Sequence, residues 1–132
     1  MKYFSIVVII AIIALFALLS GCRQTVKENT YRQISQDEAK RMMDAEEYAV
    51  ILDVREQDEF DSAHIPGAVL LPVGTISEST AAAVIPSKNS TVLVYCRSGN
   101  RSKTASKALA DLGYTQIFEF GGINTWPYEI EK

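Results

Sequence analysis

The stretch that decides the fold runs from residue 91 to residue 101 and reads TVLVYCRSGNR. Its first part, Thr91–Tyr95, is the strongest strand signal in the chain, because β-branched and aromatic side chains follow one another without a break. From Arg101 the pattern becomes helical through Leu112. The residues that recur there at the spacing of one helix face are Ala105, Ala108, Leu109 and Leu112. The stretch therefore predicts a buried strand, a tight loop and a helix.

Strands and helices also alternate in the rest of the chain from residue 31 onward. The predicted strands are Tyr31–Ile34, Ala49–Val54, Ala68–Leu71, Thr91–Tyr95 and Gln116–Phe120. The predicted helices are one through Ala45 with Ser35 as its N-cap, Glu56–Asp61, Ile76–Val84, Arg101–Leu112 and a final short helix after Gly121-Gly122. Such alternation indicates a three-layer α/β fold, with a mostly parallel central sheet and helices on both faces.

Length, charge and composition exclude several classes of protein. The 132 residues suffice for one domain, and the net charge of −3 argues against nucleic acid as a partner bound through a basic surface. Two cysteines rule out a disulfide-rich scaffold and a four-cysteine zinc site. The single histidine rules out a metal centre built from several histidines. We therefore expect no metal site.

The N-terminal segment reads as an export signal. Lys2 precedes an apolar stretch from Phe4 to Leu19 that carries no charge, and Leu19-Ser20-Gly21-Cys22 follows. These four residues resemble the lipobox of bacterial lipoprotein signals, a family in which the cysteine is lipidated and becomes the new N-terminus. The alternative is an uncleaved anchor with Lys2 on the cytoplasmic side.

Both alternatives place the rest of the chain outside the cytoplasm and at a membrane. The resemblance implies a lipoprotein signal peptide over residues 1–21, a lipidated Cys22 with a polar tether over residues 22–30, and a single domain over residues 31–132. We therefore expect an extracytoplasmic protein that is held at the membrane through a lipid on Cys22.

Cys96 is the candidate nucleophile. It follows a buried strand, and ligands in parallel α/β sheets bind beyond the carboxyl ends of the strands. Backbone N–H groups of the loop, the N-terminus of the next helix and the guanidinium groups of Arg97 and Arg101 all favour thiolate over thiol. These effects predict a lowered pKa for Cys96 in an exposed loop, which would make it a nucleophile. The alternative is a buried structural cysteine.

The other residues of this loop have less specific roles. Gly99 supplies the backbone freedom that a tight loop needs. Ser98 and Asn100 either orient a substrate or only close the loop, and the sequence leaves that choice open.

Five short motifs follow one another in a fixed order along the predicted domain. They are Ile34-Ser35 with Glu38-Ala39, Leu52-Asp53-Val54-Arg55 with Glu59-Phe60, His64-Ile65-Pro66-Gly67-Ala68, Val94–Ser102, and Gly121-Gly122 with Trp126. In this order they resemble the single-domain rhodaneses, a family of sulfurtransferases with a rhodanese-like α/β fold. Ala63 is a departure, since the family usually has glycine before His-Ile-Pro-Gly.

The resemblance implies a mechanism for sulfur transfer. The Cys96 thiolate would take the outer sulfur of thiosulfate or a similar small sulfur-containing anion, and the resulting persulfide would pass it to cyanide or a thiol acceptor. This ping-pong chemistry needs no metal and no organic cofactor. Arg97 and Arg101 would attract and orient the donor, and the whole loop from Arg97 to Arg101 would bind it.

Residues outside the loop are predicted to support the site. Asp53 and Arg55 lie two residues apart at a strand end, on one face, and the family pattern suggests that they build the pocket wall through ion pairs. His64 is interpreted as a hydrogen-bonded structural histidine, and Trp126 as a core or rim aromatic. The acidic run Glu56–Asp61 is interpreted as a solvated helix face.

Three alternatives come from other functional classes. Phosphatases of the cell-division-cycle type share the fold, but their loop has five residues between the cysteine and the arginine, whereas four separate Cys96 from Arg101. A non-catalytic rhodanese-like binding module would typically lack the cysteine. A persulfide carrier or sensor would use the same cysteine, so the sequence does not separate it from an enzyme.

Overall fold

The computed structural model describes residues 30–132, which contain five strands and four α-helices. The strands are β1 (Arg32–Gln33), β2 (Val50–Asp53), β3 (Val69–Leu70), β4 (Thr91–Cys96) and β5 (Gln116–Gly122). The helices are α1 (Gln36–Ala45), α2 (Gln57–Ser62), α3 (Glu78–Val84) and α4 (Asn100–Asp111). Short 3-10 helices lie at Val73–Thr75 and Ile123–Thr125.

The strands form one parallel sheet in the order β1-β5-β4-β2-β3. Side chains alternate along β4, so Val92 and Val94 lie in one buried cluster while Leu93 and Tyr95 lie in the other. Helices α3 and α4 contribute to the first cluster, and α1 contributes to the second. The predicted α/β fold with a parallel sheet is thus confirmed, and β4 lies at its centre.

Most element boundaries agree with the predictions, and the differences have local causes. The predicted cap of α1 is present, since the Ser35 hydroxyl accepts the Glu38 N–H at 3.1 Å. Helix α3 begins two residues later than predicted, because Ser77 forms a capping box with Thr80. The final short helix is a single turn of 3-10 helix.

The strands differ in length from their predictions: β2 is one residue shorter at each end, and β4 includes Cys96. β1 and β3 have two residues each rather than four, and both lie at the edges of the sheet, where pairing is possible on one side only. β5 continues past Phe120 to Gly122, because a register shift lets Gly122 pair with Cys96.

The predicted signal peptide over residues 1–21, the lipidated Cys22 and the tether up to residue 29 lie outside the described residues. Among the helices of residues 30–132, none combines the length and the apolar character that a membrane crossing requires.

Candidate active site

Cys96 ends the central strand and lies beneath the loop that follows it. The residue is 1% exposed. Its sulfur accepts a hydrogen bond from the Gly99 N–H at 3.0 Å, and the thiol donates to the Ser102 hydroxyl oxygen at 3.4 Å. Gly99 makes this possible with a φ of 108°, a left-handed conformation that side chains disfavour. The prediction that Cys96 stands in an exposed loop is therefore wrong, because the loop folds over the sulfur.

The surroundings of Cys96 lower its pKa, as the sequence predicts. Burial alone raises the pKa, but hydrogen bonds from the Ser102 side chain and from the backbone N–H groups of Ser102, Gly99 and Ser98 outweigh it. We call these donors the sulfur cradle. The cradle, rather than the charges of the flanking arginines, is the main cause of the lowered pKa.

The end of β5 packs against the backbone of the loop that follows Cys96. Gly122 lies so close to the loop that a Cβ atom there would collide with the backbone of Arg97 and Ser98. The Asn124 N–H also donates to the Arg97 carbonyl at 3.2 Å. The double glycine that the sequence shows at residues 121 and 122 therefore permits a close backbone approach that shapes the loop.

Three predicted loop residues, Arg97, Ser98 and Asn100, are exposed around the buried Gly99. The guanidinium group of Arg97 has no ion-pair partner among residues 30–132. Arg97 shares a surface cleft with Arg55 and Asn124. Glu59 lines the same cleft but is paired with Arg101. Of the two arginines predicted to attract an anion, Arg97 is therefore the one whose guanidinium group forms no ion pair within residues 30–132.

Arg101 is held by a carboxylate instead. Its Nη1 and Nη2 donate to Glu59 Oε2 and Oε1 at 2.7 Å and 2.9 Å, a two-point contact between α4 and α2. The hydrogen bond from Arg101 is the largest cause that lowers the pKa of Glu59 to about 2. The acidic run Glu56–Asp61 was predicted to be a solvated helix face, but Glu59 is instead paired with Arg101. The role of Arg101 in binding a donor stays a prediction.

Asp53 and Arg55 form the predicted ion pair, and both are buried. Arg55 Nη2 donates to Asp53 Oδ2 at 2.7 Å and to the Ala63 carbonyl at 2.6 Å, while Nε donates to both Asp53 oxygens. The Tyr95 hydroxyl donates to Asp53 Oδ2 at 2.7 Å. This network ties the end of β2 to the neighbouring strand and to the turn after α2. At Ala63, where the family pattern usually has glycine, the backbone is extended with a φ of −169°, which any residue adopts.

His64 and Trp126 have structural contacts, as predicted. His64 stacks on Phe60 with ring centroids 3.9 Å apart, and its Nδ1 lies 2.9 Å from the Phe60 carbonyl oxygen. Trp126 packs in the buried cluster under β4, and its indole N–H donates to the Glu129 carbonyl at 3.2 Å.

The sequence reasoning gave no role to two residues of this site: Ser102, which it named only as part of a motif, and Glu119, which contacts Ser102. The Ser102 hydroxyl donates to Glu119 Oε1 at 2.6 Å, and the Gly121 N–H donates to the same oxygen at 2.9 Å. The available signal was the composition of β5, where Glu119 stands as a lone charge between Phe118 and Phe120 in a strand expected to be buried. Within residues 30–132 no cluster of three or more potential metal ligands occurs.

The chain matches one protein family over most of the described residues. The pattern of the rhodanese-like domain matches residues 35–128. The chain is 39% identical over 72 residues to the thiosulfate sulfurtransferase PspE of Escherichia coli, which covers 54% of this chain and 68% of that protein. It is 34% identical over 97 residues to the thiosulfate sulfurtransferase GlpE of Coxiella burnetii, covering 73% of this chain and 87% of that one.

A third relative is named as a sulfur carrier rather than as a sulfurtransferase. The "Putative sulfur carrier protein YrkF" of Bacillus subtilis is 28% identical over 117 residues, which is 88% of this chain and 62% of that protein. Among solved structures, one described as a rhodanese with anions from E. coli superposes with a TM-score of 0.58 at 34% identity, covering 64% of this chain and 98% of that one. A protein of Bacillus halodurans superposes with a TM-score of 0.67 at 26% identity, covering 83% of this chain and 82% of that one.

Proposed function

The chain belongs to the rhodanese family, and from this premise we propose that it is a sulfurtransferase that carries sulfane sulfur as a persulfide on Cys96. The observation that carries the proposal is the cradle, whose N–H and O–H donors converge on the Cys96 sulfur. Donors arranged in this way stabilise negative charge on sulfur, first as the thiolate and then as the persulfide anion.

In the first half-reaction the Cys96 thiolate attacks the outer sulfur of thiosulfate. The new bond joins Cys96 Sγ to that sulfur, the sulfur–sulfur bond of the donor breaks, and sulfite leaves with the bonding electrons. The single negative charge of the thiolate moves to the terminal sulfur of the persulfide. The cradle donors, including the Gly99 N–H, then stabilise that charge.

In the second half-reaction a thiophilic acceptor takes the terminal sulfur. Cyanide leaves as thiocyanate, and a thiolate leaves as a new persulfide, while the electrons of the broken bond return to Cys96 as thiolate. A thiol is the acceptor that we propose for the cell, and cyanide is the one for the assay.

Arg97 is the residue that we propose for the first contact with the anionic donor. Its guanidinium group is exposed at the rim of the cleft, and the chain as a whole has a net charge of −3, so local positive charge is needed there. Arg55 lines the same cleft but is already bound to Asp53, and Arg101 is bound to Glu59. The E. coli rhodanese structure that is described with anions supports an anionic donor.

A second candidate function is storage or carriage of the persulfide without rapid turnover. It is favoured by the similarity to the Bacillus subtilis protein named as a sulfur carrier, which extends over 88% of this chain. The carrier would use the same Cys96 and the same cradle, so only rates distinguish the two functions.

The test combines intact mass with turnover on the full chain. After incubation with thiosulfate and removal of the donor, we expect the protein to gain the mass of one sulfur atom, and cyanide to remove it with release of thiocyanate. Steady-state thiocyanate formation indicates an enzyme, whereas a single stoichiometric release indicates a carrier.

The matched control is Cys96→Ser, which changes one atom and removes the one thiol among residues 30–132 that could form a persulfide. We expect no added sulfur and no turnover above background in a protein with an unchanged melting temperature. Turnover by the Cys96→Ser protein would overturn the assignment of Cys96.

We also propose that the protein is exported and anchored at the cell envelope through a lipid on Cys22. The support is the sequence Leu19-Ser20-Gly21-Cys22 after an uncharged apolar segment. Mass spectrometry of the membrane-extracted protein should find Cys22 as a lipidated N-terminus. An intact Met1 terminus, or a Cys22→Ala protein that is processed and retained as before, would contradict the proposal.

A further inference from the structure

We propose that Glu119 is a positioning residue that shares one proton with the Cys96 thiol through the Ser102 hydroxyl. The inference rests on the proposed function only in that the Cys96 thiolate is the reacting species. It adds a second acid to a site whose loop contains no acidic side chain.

The three side chains form a single hydrogen-bonded chain. The Cys96 thiol donates to Ser102 Oγ at 3.4 Å. A serine hydroxyl has one proton to donate, and its nearest acceptor here is Glu119 Oε1 at 2.6 Å, against 2.9 Å for the Gly99 carbonyl and 3.4 Å for the Gly121 carbonyl. The order of the chain is therefore thiol, hydroxyl, carboxylate.

Burial removes the solvent that would screen the two acids from each other. Cys96, Ser102 and Glu119 are 1%, 0% and 3% exposed, so little water lies between a thiolate and the carboxylate. Negative charge on both ends of this hydrogen-bonded chain is therefore disfavoured, and one proton held between them relieves the repulsion.

The exchange within the pair is balanced. The Cys96 proton moves to Ser102 Oγ while the Ser102 proton moves to Glu119 Oε1. An S–H and an O–H bond break, two O–H bonds form, and nothing is oxidised or reduced. The products are a thiolate that accepts the Ser102 hydroxyl and a neutral carboxylic acid, with no change in the net charge of the site.

Charged and polar groups on the neighbouring elements face the pair. On the thiol side, Arg101 of α4 is attracted electrostatically by Cys96. On the carboxylate side, Lys103 of α4 lines the same cleft as Glu119, as do the neutral Gln33 of β1 and Gln36 of α1.

On β4 and β5 the carboxylate meets an apolar side chain and a backbone donor. Val94 is the register partner of Glu119 on β4, and the Gly121 N–H of β5 donates to Glu119 Oε1 at 2.9 Å. The side chains of Phe118 and Phe120 lie on the other face of the sheet. Lys103 and Arg101 therefore supply the local positive charge, and the pair supplies the acid–base chemistry.

Glu119→Gln and Ser102→Ala should move the thiolate titration in opposite directions. Glutamine keeps the size and the acceptor oxygen but removes the competing charge, so the midpoint for Cys96 alkylation should fall by about one pH unit. Ser102→Ala removes a donor to the thiolate, so the midpoint should rise. A merely structural role of Glu119 would loosen the cradle and raise the midpoint in both variants.

The measurement is the rate of iodoacetamide alkylation against pH on the full chain, followed by mass spectrometry of the peptide that contains Cys96, so that Cys22 does not contribute. Glu38→Gln, the same change at an exposed glutamate on α1, is the control and should leave the profile unchanged. Melting temperatures establish that each variant is folded. If Glu119→Gln leaves the midpoint in place or raises it, the proposal is overturned.

Alkylation requires no sulfur donor, so this experiment separates the two proposals. If Glu119→Gln lowers the midpoint but the wild-type protein transfers no sulfur, the proposed function fails and the shared proton stands. If it transfers sulfur while Glu119→Gln titrates like the wild type, the reverse holds.

Discussion

The ends of β2 and β4 lie side by side in the sheet, and each places a buried polar group there. At the end of β2 the Asp53 carboxylate is bound by Arg55 and by the Tyr95 hydroxyl, so all of these partners are fixed protein groups. At the end of β4 the donors of the cradle converge on the Cys96 sulfur, an atom that is able to form a new covalent bond.

The difference shows how one sheet edge provides both rigidity and reactivity. A buried carboxylate with fixed partners contributes to stability only while all the partners are present. A sulfur held by backbone N–H groups remains available for chemistry, because those donors stabilise an anion without forming a covalent bond. We therefore expect changes at β2 to affect stability first and changes around β4 to affect activity first.

The largest expected effect is on stability, at the β2 end. Asp53→Ala leaves the Arg55 guanidinium buried without its carboxylate, which should lower the free energy of unfolding by about 3–5 kcal/mol. Denaturant titration of the full chain measures it. Glu47→Ala, at an exposed acidic residue in the turn after α1, should stay within about 0.5 kcal/mol of the wild type. Equal stabilities for Asp53→Ala and Glu47→Ala would contradict a stabilising role for the network.

The second effect is on activity, at the β4 end. Gly122→Ala adds a methyl group against the backbone of Arg97 and Ser98, so the loop must shift. We expect kcat/KM for sulfur transfer to fall on the order of 100-fold, since small displacements of reacting groups have effects of this size. Stability should fall by about 1–3 kcal/mol.

Gly74→Ala is the matched control for this change, because a methyl group at Gly74 meets no atom within 4 Å. It should leave kcat/KM unchanged. A Gly122→Ala protein that retains full activity would show that the loop adapts, and that its shape does not depend on close contact with β5.

The elements that were predictable from the sequence are those whose signal is local. β4 is a continuous apolar run, and α4 has a regular apolar face, so both were found within one residue of their ends. Spacing placed Asp53 and Arg55 on one face of a strand end, and the resemblance to the family implied that they form ion pairs, as they do with each other.

The contacts that were missed join distant parts of the chain. Glu59 and Arg101 are 42 positions apart, and Ser102 and Glu119 are 17 positions apart. Helical or strand periodicity does not encode which charged side chain on one element meets which on another. For this reason the acidic run of α2 was interpreted as solvated, and Glu119 was included in a strand without a role.

The third prediction concerns Arg101, which connects the two strand ends through Glu59. Arg101→Ala should raise KM for thiosulfate by a few-fold and raise the pKa of Cys96, because it removes a positive charge that interacts with the thiolate. Arg101→Lys should restore much of the electrostatic effect but not the two-point contact.

Steady-state kinetics at low and high salt measure the effect on KM, and the long-range part should shrink as salt increases. An unchanged KM together with an unchanged alkylation profile in Arg101→Ala would make the arginine purely structural. Recognition of the anion would then depend on Arg97 and the backbone donors.

The smallest effect is the dependence of stability on pH through Glu59. Its pKa is lowered from 4.5 to about 2 in the folded protein, so the ion pair stabilises the fold fully above about pH 4.5 and this contribution is lost as pH falls toward 2. Unfolding free energies should therefore decline more steeply over that range in the wild type than in Glu59→Gln. Parallel curves for the two proteins would contradict this linkage.

The contact between the Cys96 loop and Gly122 has a consequence for the order of events during folding. The residues that complete the cradle's surroundings, from Glu119 to Asn124, are synthesised after Cys96 and must pair across the sheet before the loop takes its shape. Before β5 has paired with β4, the N–H donors of the loop are not yet arranged around the sulfur. The lowered pKa of the Cys96 thiol is therefore a property of the completed sheet and not of the loop sequence alone.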